Sequence, residues 1–274
     1  MRPRVLTVLL STFCLATASS LSWAAESGFP VLKSVQLQWL GDQIYRNECN
    51  HQSDCLTSWN QGENFPSLGI GHFIWYQAGQ KEIYHETFPD LLDYLQKHDV
   101  RLPGWLTASR FEQPWPDRDS FLADSASVRQ QELRTLLEGS LTEQTAFIVN
   151  RFHAAIPGII AAAPGPQQSE LGRRLLQVAL SRPPQGIYAL IDYVHFKGEG
   201  TRREEQYQGQ GWGLLQVLQA MPADSNEPLQ DFVQAADAVL TRRVANAPVQ
   251  RNESRWLAGW RNRLNTYLPP AGQP

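Results

Sequence analysis

One acidic side chain stands out because it ends an apolar helix face. A helix is predicted over Ser34 to Glu48, and residues at steps of three and four share one of its faces: Leu37, Leu40, Ile44 and Glu48. An apolar environment disfavours the charged form of a carboxyl group. A carboxyl group that keeps its proton can donate it to a leaving atom, so Glu48 is a candidate general acid. The alternative is that Glu48 rotates into water or pairs with an arginine.

A polar loop and a glycine-containing strand follow this helix. Residues from Asn50 to Pro66 are polar and rich in turn formers, and a strand within a small hairpin is predicted over Ser67 to Tyr76. This strand begins with the run Ser67-Leu68-Gly69-Ile70-Gly71-His72. Paired glycines alone indicate only a tight bend. The hydroxyl of Ser67 can donate a hydrogen bond to a water or a sugar, or it can be satisfied by the backbone.

Taken together, these residues resemble the active-site hairpin of phage-type lysozymes. In that family a helix-ending Glu is followed by a loop and then by a Thr-Ile-Gly-x-Gly-His run, and Ser67 lies at the position of the Thr. The resemblance implies that Glu48 is the general acid of a muramidase, that Ser67 organises the site, and that His72 supports the hairpin. It also implies an α+β, mostly helical, lysozyme-like fold. The substrate would be the β-1,4 bond between N-acetylmuramic acid and N-acetylglucosamine in peptidoglycan.

The loop departs from the family pattern at its second carboxylate. That group lies nine residues after the Glu and six before the Thr, and Thr57 and Gln61 occupy these offsets here. Neither can act as a base. Glu63 is the preferred substitute, with Asp54 as the other available acid. Without a second carboxylate, the alternatives are a lytic transglycosylase, in which the substrate's own 6-hydroxyl replaces water, or an inactive peptidoglycan-binding protein.

A second segment resembles a different family. Glu199 precedes Gln216 by seventeen positions, and Gln216 ends the run Gly213-Leu214-Leu215-Gln216. This is similar to the Glu and the Gly-Leu-Met-Gln signature of soluble lytic transglycosylases. The resemblance makes Glu199 the alternative catalytic residue, with Tyr207 and Gln216 as sugar contacts. Both acids can line one cleft.

Aromatic residues and the closing helix extend the expected site. Aromatic faces suit the apolar faces of pyranose rings, so Trp59 and Trp75, together with His72, are predicted substrate contacts; the alternative is that the rings belong to the core. A helix is predicted over Asn252 to Leu268. It resembles the last helix of phage-type lysozymes, where an Arg pairs with the catalytic Glu, and Arg255 is the candidate for that role.

The N-terminal residues, the net charge and the cysteines indicate the compartment and the partners of the protein. Residues 1–24 read as a cleaved export signal with a basic end and an uncharged apolar run, so a periplasmic or secreted protein is expected. Loss of Arg2 and Arg4 lowers the basic count from 24 to 22 against 27 acids, a charge of about −5. That sign argues against nucleic acid as a partner. An exported chain with two remaining cysteines favours a Cys49–Cys55 disulfide over two free thiols.

The remaining residues are expected to form a single domain over 25–274. A hairpin lobe occupies about 50–78, and an insertion occupies about 77–186, with a surface excursion from Arg101 to Asp124. Amphipathic helices separated by Pro and Gly are predicted near Phe88 to Lys97, Ser127 to Leu137, Thr142 to Ala155, Ser169 to Ser181, Ile187 to Phe196, Gly213 to Met221 and Leu229 to Ala245. No cofactor, metal or membrane insertion of the mature chain is implied. An exported helical protein of another fold, whose hairpin merely copies the motif, is a further alternative.

Overall fold

The computed structural model describes residues 28–80 and 84–269, so the predicted export signal lies outside the described residues. The fold is α+β and mostly helical. Its helices are α1 Ser34–Cys49, α2 Phe88–Lys97, α3 Gly104–Ala108, α4 Arg118–Ala123, α5 Val128–Gly139, α6 Leu141–Ala161, α7 Gly165–Leu180, α8 Gln185–Lys197, α9 Leu214–Ala220, α10 Pro228–Asn246 and α11 Ser254–Asn265. Short 3-10 helices occupy Ser53–Leu56 and Val249–Arg251. None of the helices in these two ranges is both long and apolar enough to span a bilayer.

Two small antiparallel sheets complete the described fold. The first has the order β1 (Thr57–Ser58), β2 (Ser67–Leu68) and β3 (Phe73–Ile74), with Ser67 opposite Ser58 on one side and Ile74 on the other. The second, which sequence reasoning missed, pairs β4 (Gln206–Tyr207) with β5 (Gln210–Gly211).

The single strand expected over Ser67 to Tyr76 is wrong, because the chain reverses in its middle. Gly69 has φ 65° and His72 has φ 46°, both in the left-handed region that turns a hairpin. A Cβ at Gly69 would overlap Oε1 of Gln144, the oxygen that accepts a hydrogen bond from the Ile70 N–H at 3.1 Å. The glycine therefore lets the turn dock on α6.

The predicted surface excursion from Arg101 to Asp124 is right only in part, because most of its residues are exposed or half-buried but it forms two short helices and places apolar side chains in the core. Leu106 of α3, Trp115 and Phe121 of α4 are all buried, and Trp115 packs edge-on against Phe121 with ring centroids 4.9 Å apart. Trp115 also meets Trp75 of the hairpin segment at 6.1 Å. Trp115, Phe121 and the half-buried Trp105 form the aromatic support of the hairpin segment, and Trp115 is a core residue.

Helix α8 is largely buried, and the candidate site is built around it. Its residues Ile187 to Ile191 are all buried, and it packs antiparallel to α7 after a short connection. The close approach of the two helices depends on Gly186, since a Cβ there would overlap the carbonyl oxygen of Val178. Displacing α8 would displace every side chain that it presents to the site.

We expect Gly186→Ala to lower the free energy of unfolding by about 1–3 kcal/mol, because the added methyl group forces two packed backbones apart. Gly158→Ala in α6 is the matched control, since no atom lies within 4 Å of its added Cβ. That control should leave stability unchanged or raise it by about 1 kcal/mol, through higher helix propensity. Urea unfolding followed by circular dichroism measures both changes. Equal stability of the two variants would contradict the close α7–α8 contact.

Candidate active site

The last turn of α1 carries the Glu48 carboxylate into a cluster of charged and polar groups. The Glu48 side chain is 11% exposed. Its Oε1 accepts a hydrogen bond from Nη2 of Arg263 in α11, and its Oε2 lies 3.5 Å from Nδ1 of His72 in the hairpin turn. Nε2 of His195 in α8 lies 3.8 Å from Oε1. Three segments far apart in sequence thus converge on one carboxylate.

Local backbone geometry explains why α1 stops just after this residue. Asn50 adopts a left-handed conformation with φ 47°, and its N–H donates to the carbonyl of Arg46 at 2.9 Å. The next residue, His51, is also left-handed with φ 57°. The predicted disulfide is present: Cys49 and Cys55 are bonded, with Cα atoms 5.4 Å apart. Glu48 is therefore held at the junction of the helix and the loop.

Arg263 links Glu48 to a second, deeply buried carboxylate. Its Nε and Nη2 donate to Oδ2 and Oδ1 of Asp192, each at 2.8 Å, and Asp192 is 1% exposed. Burial opposes the charge on Arg263, but the hydrogen bonds to Asp192 and the negative charges of Asp192 and Glu48 outweigh it. The pKa of Arg263 is accordingly raised above its ordinary value. Arg263 is a fixed cation shared between two acids.

The sequence-based prediction of an arginine partner for Glu48 is correct for the helix and wrong for the residue. Arg255 is exposed and lies with its guanidinium carbon 4.8 Å from the centre of the Trp256 ring. Arg263 lies about two turns further along α11 and makes the contact instead. The helix docks on the core through Trp260, Leu264 and the following Tyr267, and this face carries Arg263 inward.

Tyrosine hydroxyls and an amide surround Asp192. The hydroxyl of Tyr267 donates to Oδ2 of Asp192 at 2.6 Å, and Asn47 Nδ2 donates to Oδ1 at 3.2 Å. The same Asn47 amide donates to the hydroxyl of Tyr188 at 2.6 Å. Burial, followed by the negative charge of Asp192, raises the pKa of Tyr188 to about 12. These neutral partners satisfy the hydrogen-bonding capacity of the Asp192 carboxylate. They also link α1, α8 and the segment that follows α11.

A cavity of about 340 Å³ opens beside His195, with lining residues Gly71, Phe73, Ile148, Arg151, Phe152, Ala155, Ile191, Val194, His195 and Glu199. The His195 side chain is 28% exposed. Larger hollows of about 760, 480 and 420 Å³ elsewhere on the described surface contain none of the predicted site residues. The cavity beside His195 is therefore the candidate ligand-binding site.

Both candidate acids lie near His195, since Glu48 is 3.8 Å from it and Glu199 lines the same cavity. Burial, and then repulsion by Glu205, raises the pKa of Glu199. Burial lowers the pKa of His195, and attraction by Glu48 only partly offsets that effect. Since His195 contacts Glu48 and also lines the cavity with Glu199, the alternative catalytic residue belongs to the same region as the preferred one.

The loop acids and Ser67 take no part in this cluster. Glu63 accepts a hydrogen bond from Asn60 Nδ2 at 3.2 Å, and Asp54 is exposed, 3.6 Å from Nε of Arg134. Ser67 is buried in β2, where its carbonyl accepts a hydrogen bond from Ser58 Oγ at 3.1 Å. Within the part of the chain that the structure describes, no hydrogen bond or ion pair joins Glu48 to any of these three side chains.

The predicted aromatic contacts lie mainly in the core. Trp75 is 1% exposed and its Nε1–H donates to the carbonyl of Phe111 at 2.8 Å, so neither face is open to a sugar. Trp59 is buried against Phe121, with ring centroids 5.7 Å apart. The prediction that these two rings bind substrate is therefore wrong, because the aromatic support covers them.

Tyr207 and Gln216 are occupied by contacts that shape the fold around Glu199. The hydroxyl of Tyr207 donates to the buried Glu253 at 2.9 Å. The Gln216 side chain accepts from the N–H of Gly213 at 2.9 Å and donates to the carbonyl of Gly200 at 3.0 Å. Both ends of the amide are thus used to close the segment between α8 and α9, and Gln216 supports the backbone next to Glu199.

Sequence reasoning missed four residues that the structure brings to the site: Asp192, His195, Arg263 and Arg151. A weak signal existed for the first two. They lie three positions apart on α8, so they share a face of an otherwise apolar helix. Polar residues at helical spacing on a buried element indicate a site, although the spacing alone does not say what they contact.

We expect Arg263→Met to lower the free energy of unfolding by about 3–5 kcal/mol, because it leaves the buried Asp192 carboxylate without its cation. The double variant with Asp192→Asn should lose at least about 1 kcal/mol less than the sum of the two single variants. Denaturant unfolding measures all three. Arg261→Met is the control on the same helix, and its exposed pair with Asp237 should contribute little. Additive losses at Asp192 and Arg263 would contradict the coupling.

The chain stands apart in comparisons with known proteins. No family model, curated protein or solved structure matches it. The functional assignment therefore rests on the geometry of the site and on the motif resemblance, and not on the fold.

Proposed function

We propose that this protein cleaves the glycan strands of bacterial peptidoglycan, with Glu48 as the general acid. One observation carries the proposal: a nearly buried carboxylate at the end of a helix is bound by an arginine of the closing helix and lies 3.8 Å from His195, which lines a cavity. The motif resemblance also implies that an arginine of this helix pairs with the catalytic Glu, although at Arg263 in place of the expected Arg255. A mostly helical fold with a small sheet next to this acid also supports a lysozyme-like architecture.

In this proposal Glu48 donates its proton to the glycosidic oxygen as the bond to the leaving sugar breaks. Arg263 orients the carboxyl group through its hydrogen bond to Oε1, and two of its other N–H groups donate to Asp192. The second oxygen of Glu48 faces His72, so the two oxygens have distinct surroundings.

The second half of the reaction has two candidate routes. A muramidase needs a carboxylate to direct water, and Glu63 and Asp54 make no contact with the Glu48 cluster. Glu199 lines the cavity beside His195 and is the carboxylate proposed for that task. Where no second carboxylate directs water, the other candidate is a lytic transglycosylase reaction, in which the substrate's own 6-hydroxyl replaces water and an anhydro sugar results. Either route acts outside the cytoplasm, in agreement with the predicted export signal.

We expect Glu48→Gln to reduce the release of soluble fragments from purified sacculi by about 100-fold or more, because glutamine cannot donate the required proton. The amide oxygen can still accept a hydrogen bond from Arg263, so the variant should remain folded. Mass analysis of the fragments also identifies the route, since an anhydro product is one water lighter than its hydrolytic counterpart. Glu63→Gln is the control in the loop and should retain most of the activity.

Three results would count against parts of this assignment. Activity that survives Glu48→Gln but is lost in Glu199→Gln would identify Glu199 as the general acid. Sedimentation of the wild-type protein with sacculi, without release of fragments, would identify an inactive binding protein. An absence of both binding and cleavage would leave the exported interaction protein of another fold as the better description.

A further inference from the structure

Glu48 is also one of three side chains whose metal-binding atoms converge. One ligand atom each from Glu48, His72 and His195 lies within 4.8 Å of the other two. The Glu48 carboxylate is 3.5 Å from His72 Nδ1 and 3.8 Å from His195 Nε2. These separations are longer than an ordinary hydrogen bond, which spans about 2.7–3.2 Å. The three groups are neighbours that do not pair optimally with one another.

The same separations fit donors arranged around a single ion. Zinc binds His nitrogen and carboxylate oxygen at about 2.0–2.2 Å in tetrahedral sites, which places two ligands about 3.3–3.5 Å apart. The distances of 3.5 Å from Oε2 to His72 Nδ1 and of 3.8 Å from Oε1 to His195 Nε2 are near this spacing, and the two imidazole donors lie within 4.8 Å of each other, so the three side chains reach one ion after a modest shift of the imidazoles. His72 and His195 are 32% and 28% exposed, so an ion could enter from solvent and keep one coordination position for water.

We infer that Glu48, His72 and His195 form a binding site for Zn²⁺ or a similar divalent transition-metal ion. Two imidazoles and one carboxylate suit zinc, nickel or copper, whereas calcium and magnesium prefer an all-oxygen set. Arg263 lies close by, but Asp192 balances its charge with two hydrogen bonds. By holding Oε1 of Glu48, Arg263 also orients the carboxylate so that Oε2 is the oxygen nearer His72.

A second cluster of potential metal ligands, Cys49, Cys55 and His72, includes one residue of the proposed site. Cys49 and Cys55 have sulfur atoms near His72, but the two are joined in a disulfide and offer no thiolate. Reduction would release two thiols beside the proposed site. Any binding measurement has to be made on the oxidised protein without reductant.

Metal binding has a direct consequence for the reaction, and this part rests on the proposed function. A lone pair of Glu48 that ligates the ion cannot hold the proton that cleavage needs. Bound Zn²⁺ would therefore inhibit glycan cleavage, and a chelator would restore it. The site would act as a metal-sensitive control on the same carboxylate.

The binding test uses Zn²⁺ alone, titrated by calorimetry into the oxidised full-length mature protein after removal of metals with a chelator. We expect one ion per chain, and we expect His72→Asn and His195→Gln each to weaken binding about 10-fold or more. His85→Gln is the matched control, because His85 is an exposed histidine 3.4 Å from Asp90. Co²⁺ in place of Zn²⁺ should give the visible absorption of tetrahedral coordination. Equal affinity of the wild type and both site variants, or no binding at all, overturns the proposal.

The inhibition test adds Zn²⁺ and then excess chelator to the sacculus digestion. A protein that binds Zn²⁺ through these residues but never cleaves sacculi would support the metal site and reject the proposed function. Cleavage by a protein that binds no Zn²⁺ would do the reverse. Unchanged cleavage with the site saturated would overturn the inhibitory role, since Glu48 could not then be both ligand and acid.

Discussion

The site depends on one ion pair, between the buried Asp192 carboxylate of α8 and the Arg263 guanidinium of α11. Asp192 is almost completely enclosed on α8, and a carboxylate in that position is costly unless it is paired and hydrogen-bonded. Arg263 supplies two hydrogen bonds, and Tyr267 and Asn47 supply the others. Because Arg263 also reaches Glu48, the charge balance that allows α8 to be buried simultaneously determines where the candidate acid points.

The hairpin contributes through backbone conformation more than through side-chain chemistry. The left-handed turn at Gly69 and His72 brings the imidazole of His72 to Glu48, while the adjacent backbone docks on Gln144 of α6. Ser67, which the motif placed in the chemistry, is buried in the strand that leads into this turn. The glycine run thus positions a neighbouring residue, and the short strands act as its support.

Helix positions were predictable from sequence because apolar periodicity reports burial directly. The bounds of α2 agree with the prediction at both ends, and α1 differs only at its last residue. Helix α6 extends past its predicted end because it continues through Pro157, where tertiary packing outweighs the local tendency of proline to end a helix. The short helices α3 and α4 were missed because five or six residues give too little periodicity to recognise.

The site was predictable only where its residues are close in sequence. Glu48 and His72 share one motif, whereas the pairing of Arg263 with Asp192 depends on how two distant helices rotate against each other. An error of two turns on α11 was enough to select Arg255. Composition could not separate Trp75 from a sugar-binding tryptophan either, since both surroundings favour the same ring and differ only in what covers it.

The order of these elements along the chain has a consequence for biogenesis. Glu48 and Arg263 are 215 residues apart in sequence, so their contact belongs to the slow, non-local part of folding. A polypeptide that extends only as far as α10 lacks the guanidinium that completes the centre. The contacts of Arg263 with Glu48 and Asp192 therefore exist only after α11 has been made and has docked, and a chain cut short before that helix would be left with an unmatched charge in its interior.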